Sequence, residues 1–344
     1  MIDLRSDTLT LPSPEMLNTI LSAPLGDDGR ADKEGRGEDP SVRLLEDTAA
    51  ALFEKEAAVF FFSGTLGNTS AVLTWASPGQ SVLMEPLQHI VRSEEAVFSP
   101  RFGQLKALPY QVTADGKPDL NSLLQLLKQE PALLLLENTH NFRGGLCLNA
   151  EETDQICLAA HEAGVKVHLD GARVFNAAAH HKVSVARLTK GADSVMFCLS
   201  KGLGAPLGSL VVCNKEFAIR LRETRKLLGG TLRQAGIAAA PGLYALKHQQ
   251  NNAQRDNEHA QLFVERLGKL NKLRVPHKVQ SNIVMLNTEQ TGMSPADFCQ
   301  LCLLSGLSIR PVLEGMVRLV FHMDIRREQA LEAADIISKI DREL

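Results

Sequence analysis

The feature that most constrains the fold is the alternation of short apolar runs with longer segments of helical periodicity. Six brief runs rich in Val, Leu, Ile and Phe are predicted strands: Ala57–Phe62, Ser81–Met84, Ala132–Glu137, Val165–Asp170, Ser194–Leu199 and Gly208–Cys213. Helix-period segments separate most of them, such as Glu151–Gly164, which should end at its glycine. Strands that are apolar throughout need cover on both faces. The pattern predicts an α/β protein with a mainly parallel sheet.

The carboxyl-terminal third differs in character and predicts a second, smaller domain. A polar segment opens at Gln249, and the chain then repeats a shorter alternation of helices and strands. A chain of 344 residues is long enough for about two domains of roughly 150 residues each. We expect a large domain over residues 1–248, including the amino-terminal segment, and a small α/β domain over residues 249–344.

Charge and composition exclude several classes of protein. The 37 Lys and Arg residues nearly balance 40 Asp and Glu residues, and 44% of the chain is hydrophobic. A disordered chain would be less apolar, and a nucleic-acid-binding protein would usually carry a basic excess. The amino terminus is charged where a signal peptide is apolar, and no run approaches the ~20 apolar residues of a membrane span. We expect a cytoplasmic protein with neither a nucleic acid nor a membrane as partner.

The six cysteines predict reduced thiols rather than a disulfide framework or a metal site. They are scattered through apolar stretches. Cys299 and Cys302 form a C-x-x-C, but they lie in a helical pattern and no second pair lies nearby to complete a zinc site. Packing in the core is the favoured interpretation, and no metal is expected.

A lysine surrounded by small residues is the sharpest functional signal. Lys201 follows an apolar strand within the segment Leu199–Ser209, which is rich in glycine. Small neighbours let a planar group approach the backbone, and a lysine amine there can attack a carbonyl to form a Schiff base. The alternatives are a solvated lysine at a strand end or a glycine-lysine loop that binds phosphate, although the Walker pattern is absent.

An acid at the end of a predicted central strand suggests a cofactor partner. Asp170 ends the strand Val165–Asp170 and is followed at once by Gly171 and Arg173. Ligands bind at such strand ends in open α/β sheets. Pyridoxal phosphate pairs its Schiff-base lysine with an acid at the ring nitrogen, and Lys201 and Asp170 suit those roles. The alternatives are a turn or cap acid at Asp170 and an exposed cation at Arg173.

A third segment could hold the phosphate of such a cofactor. Small and hydroxylated residues fill Phe62–Thr69, between a predicted strand and a helix predicted over Thr69–Trp75. Free amides at a helix start bind anions, and Gly64 and Thr65 are the best candidates. An ordinary serine cap is the alternative. The three signals together are far less common by chance than any one alone.

Together these residues resemble the low-specificity L-threonine aldolases, which are pyridoxal 5'-phosphate-dependent enzymes of fold type I within the β-eliminating lyase superfamily. The matching motifs span nearly the whole chain: Asp3–Thr8, Gly37–Pro40, Ser63–Thr65, Glu137–Asn141, His168–Arg173, Leu199–Ser209 and Val317–Val320. The resemblance implies a large domain with a mostly parallel seven-stranded sheet and a small carboxyl-terminal domain. It also implies a homodimer or homotetramer with active sites at the subunit interface.

The resemblance also implies a set of site residues. Lys201 would form the Schiff base and Asp170 would face the pyridine nitrogen. His89 would stack on the cofactor ring, and His140 would lie near the substrate hydroxyl. The implied phosphate contacts are Gly64, Thr65, Ser200 and Arg233, and the implied contacts of the substrate carboxylate are Ser6, Arg173 and Arg318. Arg173 is also implied to contact the cofactor.

The implied reaction is the cleavage of L-threonine or L-allo-threonine to glycine and an aldehyde, with His89, His140 or a water that they orient as the base. The closest rival is a β-eliminating lyase or transaminase on the same scaffold, because the cofactor site alone fixes no reaction. The other rivals are a non-catalytic binding protein and a metal hydrolase that uses His180 and His181. Neither the acid spacing nor the directions of adjacent side chains support the hydrolase.

One segment departs from the family pattern. Between Asp28 and Gly37 most relatives have a shorter run with a tyrosine near the partner's cofactor, where this sequence has Arg36. The segment is rich in glycine and charge, so we expect it to be exposed. Phe142, shortly after His140, is another departure. The preferred β-hydroxy amino acid and the choice between dimer and tetramer therefore stay open.

Overall fold

The computed structural model describes residues 1–344 and contains twelve strands and twelve helices. The strands are β1 (Ile2–Asp3), β2 (Ala57–Phe61), β3 (Ser81–Met84), β4 (Lys106–Pro109), β5 (Leu133–Glu137), β6 (Lys166–Asp170), β7 (Ser194–Cys198), β8 (Ser209–Cys213), β9 (Ile283–Asn287), β10 (Leu307–Ser308), β11 (Arg310–Leu313) and β12 (Met316–Val320). The helices are α1 (Pro14–Leu21), α2 (Pro40–Leu52), α3 (Gly64–Trp75), α4 (Leu120–Leu127), α5 (Ala150–Glu162), α6 (Val174–His181), α7 (Val185–Leu188), α8 (Lys215–Leu227), α9 (Gly236–His248), α10 (Asn252–Leu267), α11 (Pro295–Leu304) and α12 (Arg327–Glu343).

Seven strands form the central sheet in the order β2-β8-β7-β6-β5-β3-β4. Only β8 runs against its neighbours, and the pairs from β7 to β4 are parallel. The fold class predicted from the sequence is therefore confirmed. The parallel strands β5, β6 and β7 end at one edge of the sheet, and residues at that edge are close in space even when they are distant in the chain.

Burial on both faces of the sheet explains why its strands are apolar throughout. Every residue of β5, β7 and β8 is buried. A core of 43 buried residues packs helices such as α2 and α9 against the strands. The Phe53 and Phe197 rings stack there with centroids 4.7 Å apart. All six predicted strands are present in the fold, and their observed ends lie within one residue of the predicted ones.

A second core of 22 buried residues lies around a three-stranded antiparallel sheet in the order β11-β12-β9. It draws mainly on residues from Ala260 onward, and it also takes Ile2 and Leu4 from the other end of the chain. The first strand explains this, because β1 pairs in parallel with β10. The amino-terminal segment therefore packs with the carboxyl-terminal region, and the predicted division at residue 248 stays a prediction.

One helix begins earlier than its sequence suggests. The prediction that α3 starts at Thr69 is wrong, since the helix begins at Gly64. Ser63 caps it: the Ser63 Oγ accepts a hydrogen bond from the Leu66 amide at 3.2 Å. A capping bond of this kind stabilises the first turn, which lets the small residues after Ser63 join the helix.

The segment between Asp28 and Gly37 is exposed in its middle and anchored at its ends. Asp28 is buried and pairs with Arg225 at 3.1 Å. Arg36 folds back onto α2, where its guanidinium contacts Asp47 at 2.8 Å. A Cβ at Gly37 would lie 2.5 Å from atoms of Asp28, so the close approach of the two ends requires glycine.

All six cysteines are free thiols. Cys302 lies in the second core and Cys299 packs against it, so the C-x-x-C serves packing as predicted. Burial raises the pKa of Cys299 to about 11. Burial and the neighbouring Cys299 raise the pKa of Cys302 to about 12. None of the helices combines the length and the apolar character needed to cross a membrane.

Candidate active site

Two adjoining cavities open at the carboxyl edge of the parallel strands. The first cavity has a volume of about 410 Å3 and the second about 270 Å3. Thr8, His89 and Lys201 line both of them. The strands deliver polar groups to this edge, because Glu137 and Asp170 end β5 and β6 as register partners and Lys201 lies just beyond β7.

The first cavity brings together most of the residues predicted to hold a cofactor. Its lining includes Gly64, Thr65, His89, Asp170, Ser200 and Lys201. The backbone behind the lysine is fixed, since the Thr10 hydroxyl donates to the Lys201 carbonyl at 3.0 Å. A carboxylate, an amine and a helix start therefore face one space, as the sequence predicted.

Asp170 is held by two donors. Its Oδ1 accepts the Ala172 amide and its Oδ2 accepts the Asn68 side-chain amide, both at 3.0 Å. The Asn68 Oδ1 in turn lies 3.2 Å from the His168 Nε2, which donates to it. This chain fixes the direction of the carboxylate, because every member is buried and none can rotate without losing a partner.

His168 is a neutral spacer in this network. It is fully buried, and burial lowers its pKa to about 4 despite the nearby Asp170 carboxylate. Its Nδ1 lies 2.8 Å from the Ser194 hydroxyl, which also accepts the indole NH of Trp75. In the sequence His168 is marked only as part of the motif His168–Arg173, because no local pattern distinguishes a buried spacer from a ligand.

The first turn of α3 has backbone amides without an acceptor, as the predicted phosphate site requires. The first amides of any helix lack intrahelical acceptors, and the Ser63 cap uses the Leu66 amide rather than those of Gly64 and Thr65. Those two residues line the first cavity. A Cβ at Gly64 would lie 3.0 Å from the Cys198 Sγ, so the helix start is packed as closely onto the sheet as glycine allows.

The second cavity contains the predicted contacts for a substrate carboxylate. Ser6, Arg173 and Arg318 line it together. The Asn141 Oδ1 accepts from both arginines, at 2.6 Å from Arg318 and 3.3 Å from Arg173. A single amide oxygen thus orients two guanidinium groups toward one space.

Arg173 has a buried counter-ion that sequence analysis missed. Its Nε and Nη2 donate to the two carboxylate oxygens of Asp7, at 2.6 Å and 2.8 Å. Burial raises the pKa of Asp7, but Arg173 more than offsets that effect and holds it well below the ordinary range. Arg318 lacks such a partner: burial and the neighbouring Arg173 lower its pKa to about 9. A carboxylate ligand would therefore be most strongly attracted to Arg318.

The two candidate histidines occupy different environments. His89 is about one third exposed and lines both cavities, and its Nδ1 lies 3.0 Å from Glu94. His140 is buried and lines neither cavity, and its Nε2 contacts Glu85 at 2.9 Å. Ligand atoms of His89, Glu94 and Asp170 lie within 4.8 Å of one another, and the Asn68 side-chain amide donates to both carboxylates.

Glu137 is a further residue that the sequence did not single out. Its carboxylate accepts the backbone amides of His89 at 2.6 Å and Asn141 at 2.7 Å. Burial raises its pKa. The Glu137 side chain therefore fixes the backbone at His89 and at Asn141, the residue whose side chain contacts Arg173 and Arg318. The signals in the sequence were the place of Glu137 at a strand end and at the start of the motif Glu137–Asn141, and neither indicated this role.

Arg233 is the one predicted site residue that lies on the outside. It lines neither cavity, its side chain is 70% exposed, and it pairs with Asp27 at 2.5 Å. Its assignment to the phosphate stays a prediction.

Comparison with known proteins places this site in a family. Residues 3–291 match the family described as Beta-eliminating lyase. The low specificity L-threonine aldolase of Escherichia coli K12 is 35% identical over 343 residues, or 97% of each chain. The chain belongs to the β-eliminating lyase family. The recognition made from the sequence motifs is confirmed.

Other relatives of the family extend the comparison. The low-specificity L-threonine aldolase 1 of Arabidopsis thaliana is 36% identical over 86% of this chain and 84% of its own. An uncharacterized protein of Caenorhabditis elegans is 41% identical, and the match covers 75% of this chain but only 62% of that protein. The threonine aldolase of Leishmania major superposes with a TM-score of 0.78 at 17% identity, covering 99% of both chains, which shows a shared fold.

Proposed function

We propose that the protein is an aldolase that cleaves L-threonine and L-allo-threonine at the Cα–Cβ bond to give glycine and acetaldehyde. The observation that carries this proposal is the junction of the two cavities at Lys201 and His89, with Arg173 and Arg318 on one side and Asp170 on the other. The relatives named as threonine aldolases support the same reaction.

The first cavity fits pyridoxal 5'-phosphate as the cofactor. Asp170 would face the ring nitrogen, Lys201 would bind the aldehyde carbon, and Gly64, Thr65 and Ser200 would hold the phosphate. The fit rests on the chemistry of the donor set: a fixed carboxylate, an amine and free helix amides line one cavity of about 410 Å3. When bound, the cofactor supplies an electron sink for the pair left on the substrate Cα.

The second cavity would bind and orient the amino acid. Arg318 and Arg173 would hold the α-carboxylate, with the Ser6 hydroxyl beside them, because guanidinium groups bind carboxylates through two parallel hydrogen bonds. That anchoring fixes which bond of Cα faces the first cavity. Correct orientation of the Cα–Cβ bond is the main contribution of these side chains to the rate.

His89 is the better candidate for the base that removes the hydroxyl proton. Its Nδ1 faces Glu94 at 3.0 Å, which directs Nε2 away from that carboxylate and orients the ring. A base must reach the proton it abstracts, and only His89 of the two histidines lines the cavities. We assign His140 a positioning role, in which it links Glu85 to the Asn141 segment.

Assembly into a homodimer or homotetramer would complete the site. Leu11 and Leu21, before and at the end of α1, are 72% and 87% exposed, and a second copy would cover them. Arg233 lies outside its own cavities, so its predicted contact with the phosphate would be made to a second copy. The free thiols support the expected cytoplasmic location.

Release of acetaldehyde from L-threonine and L-allo-threonine by the purified protein with pyridoxal phosphate tests the proposal. We expect equal amounts of glycine and acetaldehyde, and loss of both products in Lys201→Ala. Formation of pyruvate and ammonia instead would assign β-elimination, and turnover that persists in Lys201→Ala would remove the lysine from the chemistry.

A further inference from the structure

The second cavity carries more positive charge than a mono-carboxylate substrate requires. Beside Arg173 and Arg318, two further arginines line it, Arg92 and Arg310, and its lining contains no aspartate or glutamate. Asp7 already neutralises Arg173, and the α-carboxylate of an amino acid would neutralise Arg318. Arg92 and Arg310 then have no counter-ion, since no carboxylate lies within 4.0 Å of either guanidinium.

Strand register places Arg310 beside the α-carboxylate site. Arg310 and Arg318 are direct partners across the antiparallel pair β11 and β12. Directly opposed residues point to the same face with Cβ atoms about 5 Å apart, and like charges in such a pair repel. Consistent with this proximity, Arg310 contributes to the lowered pKa of Arg318, after burial and Arg173. A ligand with two carboxylates would relieve the repulsion.

Arg92 lines the same cavity from a different part of the chain. It lies three residues after His89, within the π-helical segment Ile90–Glu94. Its guanidinium lies 5.6 Å from the centroid of the Phe142 ring, which also lines the cavity. Stacking on an aromatic face keeps the charge in place while leaving the N–H donors free. Arg92 therefore lies beside the histidine that faces the hydroxyl-bearing carbon.

We propose that Arg310 and Arg92 form a second carboxylate subsite and that the enzyme cleaves β-hydroxy-α-amino dicarboxylic acids, with 3-hydroxyaspartate as the simplest member. The proposal rests on the aldolase function proposed above. Two carboxylates separated by two carbons match two guanidinium groups on opposed strand positions. One carboxylate binds Arg318, and the other, on the carbon that bears the hydroxyl, binds Arg310 and Arg92.

The reaction balances without any co-reactant. The Cα–Cβ bond breaks and its electron pair stays on Cα, which takes up a proton to give glycine. The Cβ hydroxyl loses its proton and its oxygen becomes the aldehyde oxygen of glyoxylate. Only the substituent on Cβ differs from threonine cleavage, so the same Lys201 and His89 serve both substrates.

Kinetics with two substrates test the subsite. The holoenzyme is assayed for glycine formation from L-threonine and from the L-threo and L-erythro forms of 3-hydroxyaspartate. We expect a higher kcat/KM with one form of 3-hydroxyaspartate than with threonine. In Arg310→Gln and Arg92→Gln the ratio of the two kcat/KM values should fall about tenfold each, mainly through the KM of the diacid. Arg342→Gln, an exposed arginine on α12, should leave the ratio as in the wild type.

Binding without turnover provides a second readout. Succinate has two carboxylates on two carbons and cannot be cleaved, whereas propionate has one. Calorimetry should show tighter binding of succinate than of propionate, with the difference lost in the double variant Arg92→Gln/Arg310→Gln.

The outcomes separate the two proposals. Cleavage of threonine with slower cleavage of both forms of 3-hydroxyaspartate, or a ratio that the double variant does not change, overturns the subsite alone. Failure to cleave any of these substrates overturns the aldolase function and the subsite with it.

Discussion

Asp7 and Arg173 form a two-point ion pair inside the protein, with Nε to Oδ2 at 2.6 Å and Nη2 to Oδ1 at 2.8 Å. The residues are 166 positions apart, and Asp7 is completely buried. The pair links the amino-terminal segment to the end of β6, beside the second cavity. The Asn282 side-chain amide also approaches the Asp7 Oδ2, at 3.3 Å, so the same carboxylate connects to β9. Asp7 therefore fixes the position of Arg173, the arginine proposed to bind the substrate carboxylate.

Replacing Asp7 with asparagine should weaken both the fold and substrate binding. The change leaves the buried guanidinium of Arg173 without a charge partner, which costs about 3–5 kcal/mol. Denaturant unfolding should show this loss, and the KM for L-threonine should rise more than kcat falls. Asp3→Asn is the matched control, because Asp3 pairs with the exposed Arg5 in the same segment. Equal effects of the two changes would contradict the positioning role.

The two histidines should respond differently to replacement. His89→Asn removes the proposed base from the cavities and should lower kcat about 10²–10⁴-fold, the range typical of general-base catalysis. His140→Asn should affect activity much less, because that side chain contacts Glu85 outside the cavities. Steady-state kinetics with L-threonine compare them directly. A larger loss of kcat in His140→Asn would reverse the assignment.

His168 should make the protein sensitive to acid. Its pKa in the folded state, about 4, is below the ordinary value of about 6.5, so the unfolded chain binds more protons between those values. Stability from this group is present above pH 6.5 and falls toward pH 4, by on the order of 3 kcal/mol. His168→Gln does not titrate, so its unfolding free energy should change less from pH 7 to 5.

An exposed histidine provides the control for this pH dependence. His248→Gln, at the end of α9, should follow the wild-type curve of unfolding free energy against pH. Parallel curves for His168→Gln and the wild type would show that His168 is not the titrating group.

Asp256 should be a destabilising residue at neutral pH. Its two carboxylate oxygens have no hydrogen-bond partner, and Arg255 lies 3.9 Å away. Burial raises its pKa well above the ordinary range. The folded state favours the protonated form of Asp256, whereas the unfolded chain ionises this carboxyl above its ordinary pKa of about 4. The free energy of unfolding therefore falls as pH rises above about 4. Asp256→Asn should raise Tm by about 3 °C at pH 8, and by less at pH 5.

Asp341 provides the opposite case for the same substitution. Its carboxylate accepts the backbone amides of Asn271, Lys272 and Leu273. Burial alone would raise the pKa of Asp341, but those donors lower it. Asp341→Asn should therefore lower Tm, since one amide oxygen cannot satisfy three donors. If Asp256→Asn and Asp341→Asn shift Tm in the same direction, the burial of an unpartnered carboxylate does not explain the Tm change in Asp256→Asn.

The sequence by itself determined six of the seven strands of the central sheet, all but β4, and the chemistry of the first cavity. The predicted strands of the central sheet are buried on both faces, as β5 and β7 show. Such strands are apolar throughout whichever strand lies beside them, so the sequence reveals them before the strand order is known. Lys201, Asp170 and Gly64 are each next to a strand end. Since parallel strands bring their carboxyl ends to one edge, local position was enough to place these residues together.

Only the tertiary structure decided the contacts between distant segments. The pairing of β1 with β10, and of Asp7 with Arg173, joins residues whose local patterns say nothing about each other. His89 is partly exposed and His140 is buried, although both follow strands in similar polar stretches of the sequence. The register of β11 and β12 set Arg310 opposite Arg318, because a shift of one residue would turn one of the two arginines to the other face.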